Sequence, residues 1–457
     1  MAETLAAPLI AADLDSWLVE RRRSSVFEVE RIPFGDMVGW HFEPVTGNLV
    51  HESGKFFAVE GLHVRSDYGP VREWQQPIIL QPEFGILGIL VKRVGGVLHC
   101  LMQAKMEPGN VNDLQLSPTV QATRSNYTRV HRGQGTRYLD YFVAPSRGKV
   151  LVDVLQSEQG VWFYRKRNRN MIVEVGEDVQ AEEDFRWLPL DEVWRLLRVD
   201  NLVNMDARSV LSCLPVAVPD WMDTAAPGGD SFGDAVRRSL RGEGRPHRGG
   251  AHILNWFTQV KTAYHTSVNR IPLAEVSGWY RTDKEISHQD GKYFSVLAVA
   301  VRTSNREVAR WTQPLIAPSG QGVAAFVGKR IDGVLHVLAH ARVEPGFVDV
   351  VELAPTVLCN PSNYRDIPLS GWPPFLHDVL TADPGKVRFS AVLSEEGGRF
   401  HHAQTRYMLI EAGQDEYTQV PPNFEWMTLR QLTGLLRHSH YLNVQARSLV
   451  ACLNAAG

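Results

Sequence analysis

The sequence predicts an α+β protein in which one domain is repeated in tandem. Three observations predict it. Long segments recur at a spacing of 237–239 residues. Each copy mixes short apolar, β-branched runs, punctuated by Gly and Pro, with segments of helical period. At 457 residues, 44% hydrophobic and 22% charged, the chain can bury the cores of about two or three soluble domains.

The repeat runs from end to end. SWLVERRRSSVFEVERIPF (16–34) aligns with NWFTQVKTAYHTSVNRIPL (255–273), so that Trp17 meets Trp256 and Arg31-Ile32-Pro33 meets Arg270-Ile271-Pro272. WQQPII from Trp74 meets WTQPLI from Trp311, and KRVGGVLH from Lys92 meets KRIDGVLH from Lys329. Late in each copy, 185–214 meets 424–453. A period this long is a duplication and not a solenoid, whose units span about 20–50 residues. The expected division is a first repeat over 1–221, a linker or mobile loop over 222–250, rich in Gly, Arg and Pro, and a second repeat over 251–457.

Each copy should open on a helix, over 14–22 and 253–264. In the first copy strands are expected over 55–63, 86–92, 96–104, 150–155 and 171–175, and helices over 190–197 and 204–214. The sheet would be mixed or antiparallel, with helices against it.

Composition narrows the function classes. The net charge of −3 provides no global field for nucleic acid or an anionic membrane, so an anion needs a local pocket. No run of about 18 apolar residues is present, and residues 1–17 lack the basic start of a secretory signal. Cys100, Cys213, Cys359 and Cys452 form no CxxC pair, which suits free thiols in a reducing cytoplasm. No GxGxxG, HExxH, GxSxG or Nudix hydrolase box is present. Tyr280 and Lys284 form a YxxxK without a glycine-rich turn, and the P-loop-like stretch at Gly328-Lys329 ends in Arg330 where Mg²⁺ needs Ser or Thr. His401-His402 is the one adjacent histidine pair, and no metal site is expected.

The most informative stretch is QAKMEPGNVNDLQLSPTVQATRSNY, residues 103–127. Its twin is HARVEPGFVDVVELAPTVLCNPSNY, residues 340–364, and 12 of 25 positions are identical. The shared EPG, PTV and SNY read as frame. Pro108 and Gly109 suggest a tight turn, with Gly109 open to positive φ. Glu107 and its twin Glu344 either cap backbone amides or face a ligand. Asn126 and Tyr127 are equally open between turn or packing roles and a site. The differences point to specialisation: Gln103 becomes His340, Lys105 becomes Arg342, Asn112 becomes Asp349, Ser117 becomes Ala354, Gln121 becomes Leu358 and Arg124 becomes Pro361. Gln81 and Glu83 have no polar equivalents. Chemistry is therefore expected in the first copy.

The run from Trp74 to Gly133, with its QAKxEPGNxNxxQLSPTVQATxSNY core, resembles the NDP-hexose 2,3-dehydratases of deoxysugar biosynthesis, and the resemblance covers essentially the whole chain. It implies two Nudix-like domains in tandem, a homodimer and a dTDP-4-keto-6-deoxyhexose substrate, foremost dTDP-4-keto-6-deoxy-D-glucose. It implies loss of the C2 hydroxyl as water, no cofactor, and a separate ketoreductase acting on the 3,4-diketo product. On this resemblance Glu107 is the expected base or acid, Lys105 the stabiliser of the C4 oxygen and Tyr127 a proton donor. Arg124, Arg129 and His131 are expected at the diphosphate. Gln81, Gln103, Asn112, Gln121 and Asn126 are expected at sugar hydroxyls or the thymine edge, and Trp74 as a stacking face. Arg342, Glu344, Asn363 and Tyr364 would line a second-repeat pocket. Two other classes compete. A Nudix-like hydrolase would need an acid-rich metal helix, and 190–197 and 204–214 carry too few acids. A non-catalytic nucleotide-sugar binder would bind without making product.

Overall fold

In the computed structural model the described residues are 10–123, 136–144, 147–176, 178–214, 231–304 and 308–453. Each repeat builds a seven-stranded mixed sheet. In the first, the order is Lys149–Ser157, Arg167–Glu174, Gly85–Val94, Val97–Met106 and Phe185–Pro189, with Leu114–Ser117 and Val120–Ala122 added to the central hairpin. Arg167–Glu174 runs parallel to Gly85–Val94, and the other pairs are antiparallel. The second repeat repeats this order through Val387–Ser394, Gln404–Glu411, Gly322–Ile331, Val334–Val343 and Phe424–Thr428. The hairpin turn is Gly95-Gly96 in one copy and Asp332-Gly333 in the other, all at positive φ, the residue pairs that a two-residue turn between twisted strands demands. The shared PTV is frame: Thr119 Oγ1 donates to Leu101 O at 2.5 Å and accepts from Leu90 N–H at 2.9 Å, and Thr356 repeats both bonds with Leu338 and Val327.

The repeats do not stand apart. Each also has a five-stranded antiparallel sheet, and each of these is completed by a strand of the other repeat. Phe27–Ile32 pairs with Phe294–Thr303, from Phe27↔Thr303 to Ile32↔Ala298. Thr266–Ile271 pairs with Ala58–Ser66, from Thr266↔Ser66 to Ile271↔Gly61. The helices Met205–Ser212 and Val444–Leu453 share one core that draws on both copies, including Trp194, Val210, Met427 and Leu449. Asn204 and Asn443 cap these helices, each Oδ1 accepting from the N–H three residues on at 2.9 Å. Arg208 and Arg447, both fully buried, cross the interface in opposite directions: Arg208 Nη2 donates to Ser394 O and Arg447 Nη2 to Ser157 O, each at 2.6 Å.

The expected opening helices are Ala12–Ser24 and Gly250–Ala263. The expected linker differs from the structure. Residues 222–230 lie outside the described residues, but Phe232–Arg241 is a helix with a Ser231/Asp234 capping box and a left-handed Gly242 at its end. It buries Val236 and Leu240 and binds the second repeat's sheet through Ser239 Oγ to Leu335 O at 2.6 Å. The four cysteines are unpaired. Among the described residues no helix is long and apolar enough to cross a membrane.

Candidate active site

A cavity of about 1610 Å³ opens at the end of the first repeat's central hairpin. That exceeds the ~300–1,000 Å³ of an ordinary small-molecule site and suits a ligand as long as a nucleotide sugar. Lys105 is near the end of the strand Val97–Met106 and Glu107 just beyond it, so alternation sends both side chains to one face. Lys105 Nζ lies 3.2 Å from Glu107 Oε1, and Gln121 Nε2 donates to the same oxygen at 2.9 Å. Glu107 is buried, while the Lys105 side chain keeps 18% exposure and reaches the cavity space. Gln81 and Gln103 line the same cavity.

Gly109 holds this arrangement for a reason different from the expected one. It is not at positive φ. Its N–H donates to Gly397 O, and its O accepts from His402 N–H, both at 2.7 Å. A Cβ there would lie 1.7 Å from Phe400 O. The glycine permits close backbone approach between the Glu107 turn and a loop of the second repeat.

Two expected site residues fall elsewhere. Trp74 packs against the apolar cluster of Leu62, Val64 and Ile78, and its Nε1–H donates to Gln76 Oε1 at 2.9 Å, outside the cavity. Its twin Trp311 lines the cavity instead, beside Trp40 and Phe56, because the exchanged strands bring the second repeat's sheet over the first repeat's site. Asn112 braces backbone: its Nδ2 donates to Asn201 O at 2.9 Å, and its Oδ1 accepts from Gln115 Nε2 at 3.0 Å. Arg124, Asn126, Tyr127, Arg129 and His131 lie outside the described residues.

In the second repeat Arg342 Nε donates to Glu344 Oε1 at 2.9 Å, with the carboxyl buried. Tyr364 lies within electrostatic reach of Arg342. Asn363 Oδ1 is taken by Tyr293 N–H at 3.0 Å. His340, the counterpart of Gln103, stacks on Phe424 at 4.1 Å and bonds the Tyr68 hydroxyl of the first repeat at 2.8 Å. An imidazole tied to a first-repeat tyrosine thus stands where the first cavity keeps an amide.

The cavity also gathers charged residues that motif reading passed over. Glu158, Lys166 and Asp206 are buried in its wall, and Glu396 and Arg399 enter from the second repeat. Asn168 Nδ2 donates to Glu158 Oε1 at 2.7 Å, and Lys166 Nζ donates to Glu83 O. Burial pushes Asp206 well above the usual carboxylate range, and Glu158, Glu396 and Glu107 add to it against Lys105. Burial also raises Glu158, against Arg447, and lowers Lys166 to about 8, against Glu158. The signal was in the repeat itself: Lys166 aligns with Ala403, and Asp206 with Gln445. Among the described residues no group of three or more His, Cys, Asp or Glu is placed to hold a metal ion. The whole is a cavity with a lysine-held carboxylate, neighbouring carboxyls that favour keeping protons, and aromatic walls. That set can abstract a proton next to a carbonyl and return one to a leaving group.

Known proteins resemble the chain along nearly its whole length. The dTDP-4-dehydro-6-deoxy-alpha-D-glucopyranose 2,3-dehydratase of Saccharopolyspora spinosa is 57% identical over 439 residues, covering 96% of this chain and 90% of its own. The protein of the same name from Amycolatopsis orientalis is 52% identical over 449 residues, 97% of this chain and 90% of the relative. That of Streptomyces violaceoruber is 47% identical over 445 residues, 97% and 96%. The model of the NDP-hexose 2,3-dehydratase family matches twice, over residues 11–214 and 250–453. The chain belongs to the NDP-hexose 2,3-dehydratase family.

Proposed function

We propose that this protein is a hydro-lyase that removes the C2 hydroxyl of dTDP-4-keto-6-deoxy-D-glucose as water. The product is a 2-deoxy-3,4-diketo sugar nucleotide on the way to 2,6-dideoxysugars. The observation that carries the substrate is 47–57% identity, along nearly the whole chain, to relatives named for that reaction.

The C4 ketone acidifies the C3–H. Glu107 takes that proton, and Lys105 Nζ donates to the C4 oxygen as enolate charge develops. The enolate then expels the C2 hydroxyl, leaving a C2=C3 enol that tautomerises to the diketone. Gln121 holds the Glu107 carboxyl in place. Gln81 and Gln103 are positioned for sugar hydroxyls, and Lys55, Arg302 and Arg310 at the cavity wall for the diphosphate. Phe56 and Trp311 offer aromatic faces for thymine. In this reading the first repeat, 1–221, carries the reacting groups, and the second, 251–457, closes the cavity.

Each repeat is read as Nudix-like, supported by its mixed sheet with one parallel pair and helices against it. The product's reactivity calls for a ketoreductase acting next. A homodimer is supported by the family resemblance, and a cytoplasmic location by the four free thiols. The test is Glu107→Gln and Lys105→Ala, assayed for loss of water from the 4-keto sugar. Each is expected to lose about 10²–10⁴-fold in turnover with dTDP binding retained. Near-normal turnover in both overturns the assignment.

A further inference from the structure

The loop after the second repeat's strand Val387–Ser394 delivers a carboxyl into the first repeat's cavity. Gly398 N–H donates to Glu396 Oε1 at 2.9 Å and fixes the group. Glu396 Oε2 is shut off from solvent and has no hydrogen-bond partner among the described residues. The same holds for one oxygen each of Glu158 and Asp206, both more than nine-tenths buried in the same wall. Buried acceptors left this way call for a proton or a ligand hydroxyl.

The backbone fixes Glu396 relative to Glu107. The turn that carries Glu107 and the loop that carries Glu396 are joined by the two 2.7 Å bonds at Gly109. A Cβ on Gly397 would lie 3.1 Å from Glu107 Cβ, so the two segments run side by side. The repeat supplies a contrast. The first-copy counterpart of Glu396 is Gln159, an amide that donates to Glu395 Oε2 at 2.9 Å and has no proton to exchange in catalysis. Burial raises Glu396 to about 7, against Arg399 and with Glu107 and Glu158 adding. A carboxyl protonated near neutrality beside a carboxylate is the pairing that acid–base elimination uses.

We propose that Glu396, contributed by the second repeat, is the general acid that protonates the departing C2 hydroxyl, so that the site is complete only with both repeats. This rests on the elimination reading above. Glu107 carboxylate takes the C3 proton, the C2–O bond breaks, and the Glu396 proton leaves with it as water. Tautomerisation of the enol puts one proton on C2 and removes one from O3, which returns both carboxyls to their starting states. No oxidant or reductant is needed.

The experiment uses full-length protein and dTDP-4-keto-6-deoxyglucose deuterated at C3, following label wash-out and water loss separately. Glu107→Gln is expected to lose both. Glu396→Gln is expected to keep wash-out within about fivefold while elimination falls by roughly 10²–10⁴-fold, and Glu396→Asp to recover at least about tenfold of that loss. Elimination by Glu396→Gln within about threefold of wild type overturns the proposal. So does parallel loss of wash-out and elimination, or no recovery in Glu396→Asp at equal dTDP affinity. Wild-type protein that performs neither step overturns the reaction itself, a different failure.

Discussion

Gly109→Ala tests the idea that two repeats share one site. The new Cβ would lie 1.7 Å from Phe400 O and 2.7 Å from Gly397 O, and neither carbonyl is the end of a flexible side chain. Relief requires the Glu107 turn and the Glu396 loop to part, which breaks the two 2.7 Å backbone bonds at Gly109. At ~0.5–1.5 kcal/mol per bond and ~1–3 kcal/mol for overpacking, the cost is about 2–6 kcal/mol. The same separation misplaces the two carboxyls, and a shift of about 1 Å can lower turnover ~10²-fold. Urea unfolding followed by circular dichroism, with turnover measured in conditions where the variant stays folded, reads both effects. The twin Gly346→Ala meets the mirror-image clash, 1.8 Å from Phe163 O, and should cost similar stability. It displaces the loop of Gln159 and not that of Glu396, so its turnover should fall less. An unchanged urea midpoint with turnover within about twofold for Gly109→Ala would refute the reasoning.

Three further outcomes are expected. Glu396 rises from 4.5 to about 7 on folding, so between those values the native state holds a proton that the unfolded chain has released. This contribution is full below the lower value and fades as pH rises through the upper one, and Glu396→Gln should flatten that fall in urea midpoints compared at about pH 5 and about pH 8. Trp74→Phe and Asn112→Ala should leave KM for the 4-keto sugar within about twofold, because neither side chain lines the cavity. Either repeat expressed alone should fail to give a cooperative unfolding transition, since each loses a strand of its own five-stranded sheet to the missing half. A sharp transition from an isolated monomeric repeat would contradict the exchange.

What the sequence disclosed depended on whether the cause was local. The hairpin strands Gly85–Val94 and Val97–Met106 were legible because apolar runs and a Gly-Gly turn specify them within about twenty residues. Lys105 and Gln121 were legible because their twins, Arg342 and Leu358, show where the copies part, whereas Glu107, shared with Glu344, stood out as a carboxylate beside a strand end. The strand exchange was not legible: Phe27–Ile32 was not among the expected strands, its partner lies some 270 residues away, and local pattern does not name it. That one omission accounts for Trp74. The same WxQP motif occurs in both copies, and only the exchange places Trp311, and not Trp74, in the first cavity. It also accounts for Gly109, whose constraint is a backbone from the other repeat and not its own φ. The helix Phe232–Arg241 did carry a local signal, Ser231 three residues before Asp234, hidden by the Gly- and Arg-rich flank.

The two halves are symmetric in what holds them together and asymmetric in what lines the cavity. Arg208 and Arg447 cross the interface reciprocally, Gly109 and Gly346 each admit the opposite loop, and the exchanged strands match in register. Substitution at any of these is felt by both repeats. The cavity positions follow no such rule: Lys166, Asp206, Gln121 and Glu396 stand where the other copy has Ala403, Gln445, Leu358 and Gln159. Buried ionisable groups with unpartnered oxygens weaken a fold, and a neutral or apolar residue of like size removes that burden. At the equivalent positions of the other half those replacements have been made, Ala403, Gln445 and Leu358 in the second copy and Gln159 in the first, and the sheet order and interface arginine are the same. The architecture therefore does not require the charges. Their retention in the first cavity, against their cost to stability, is what a site tuned for proton transfer demands.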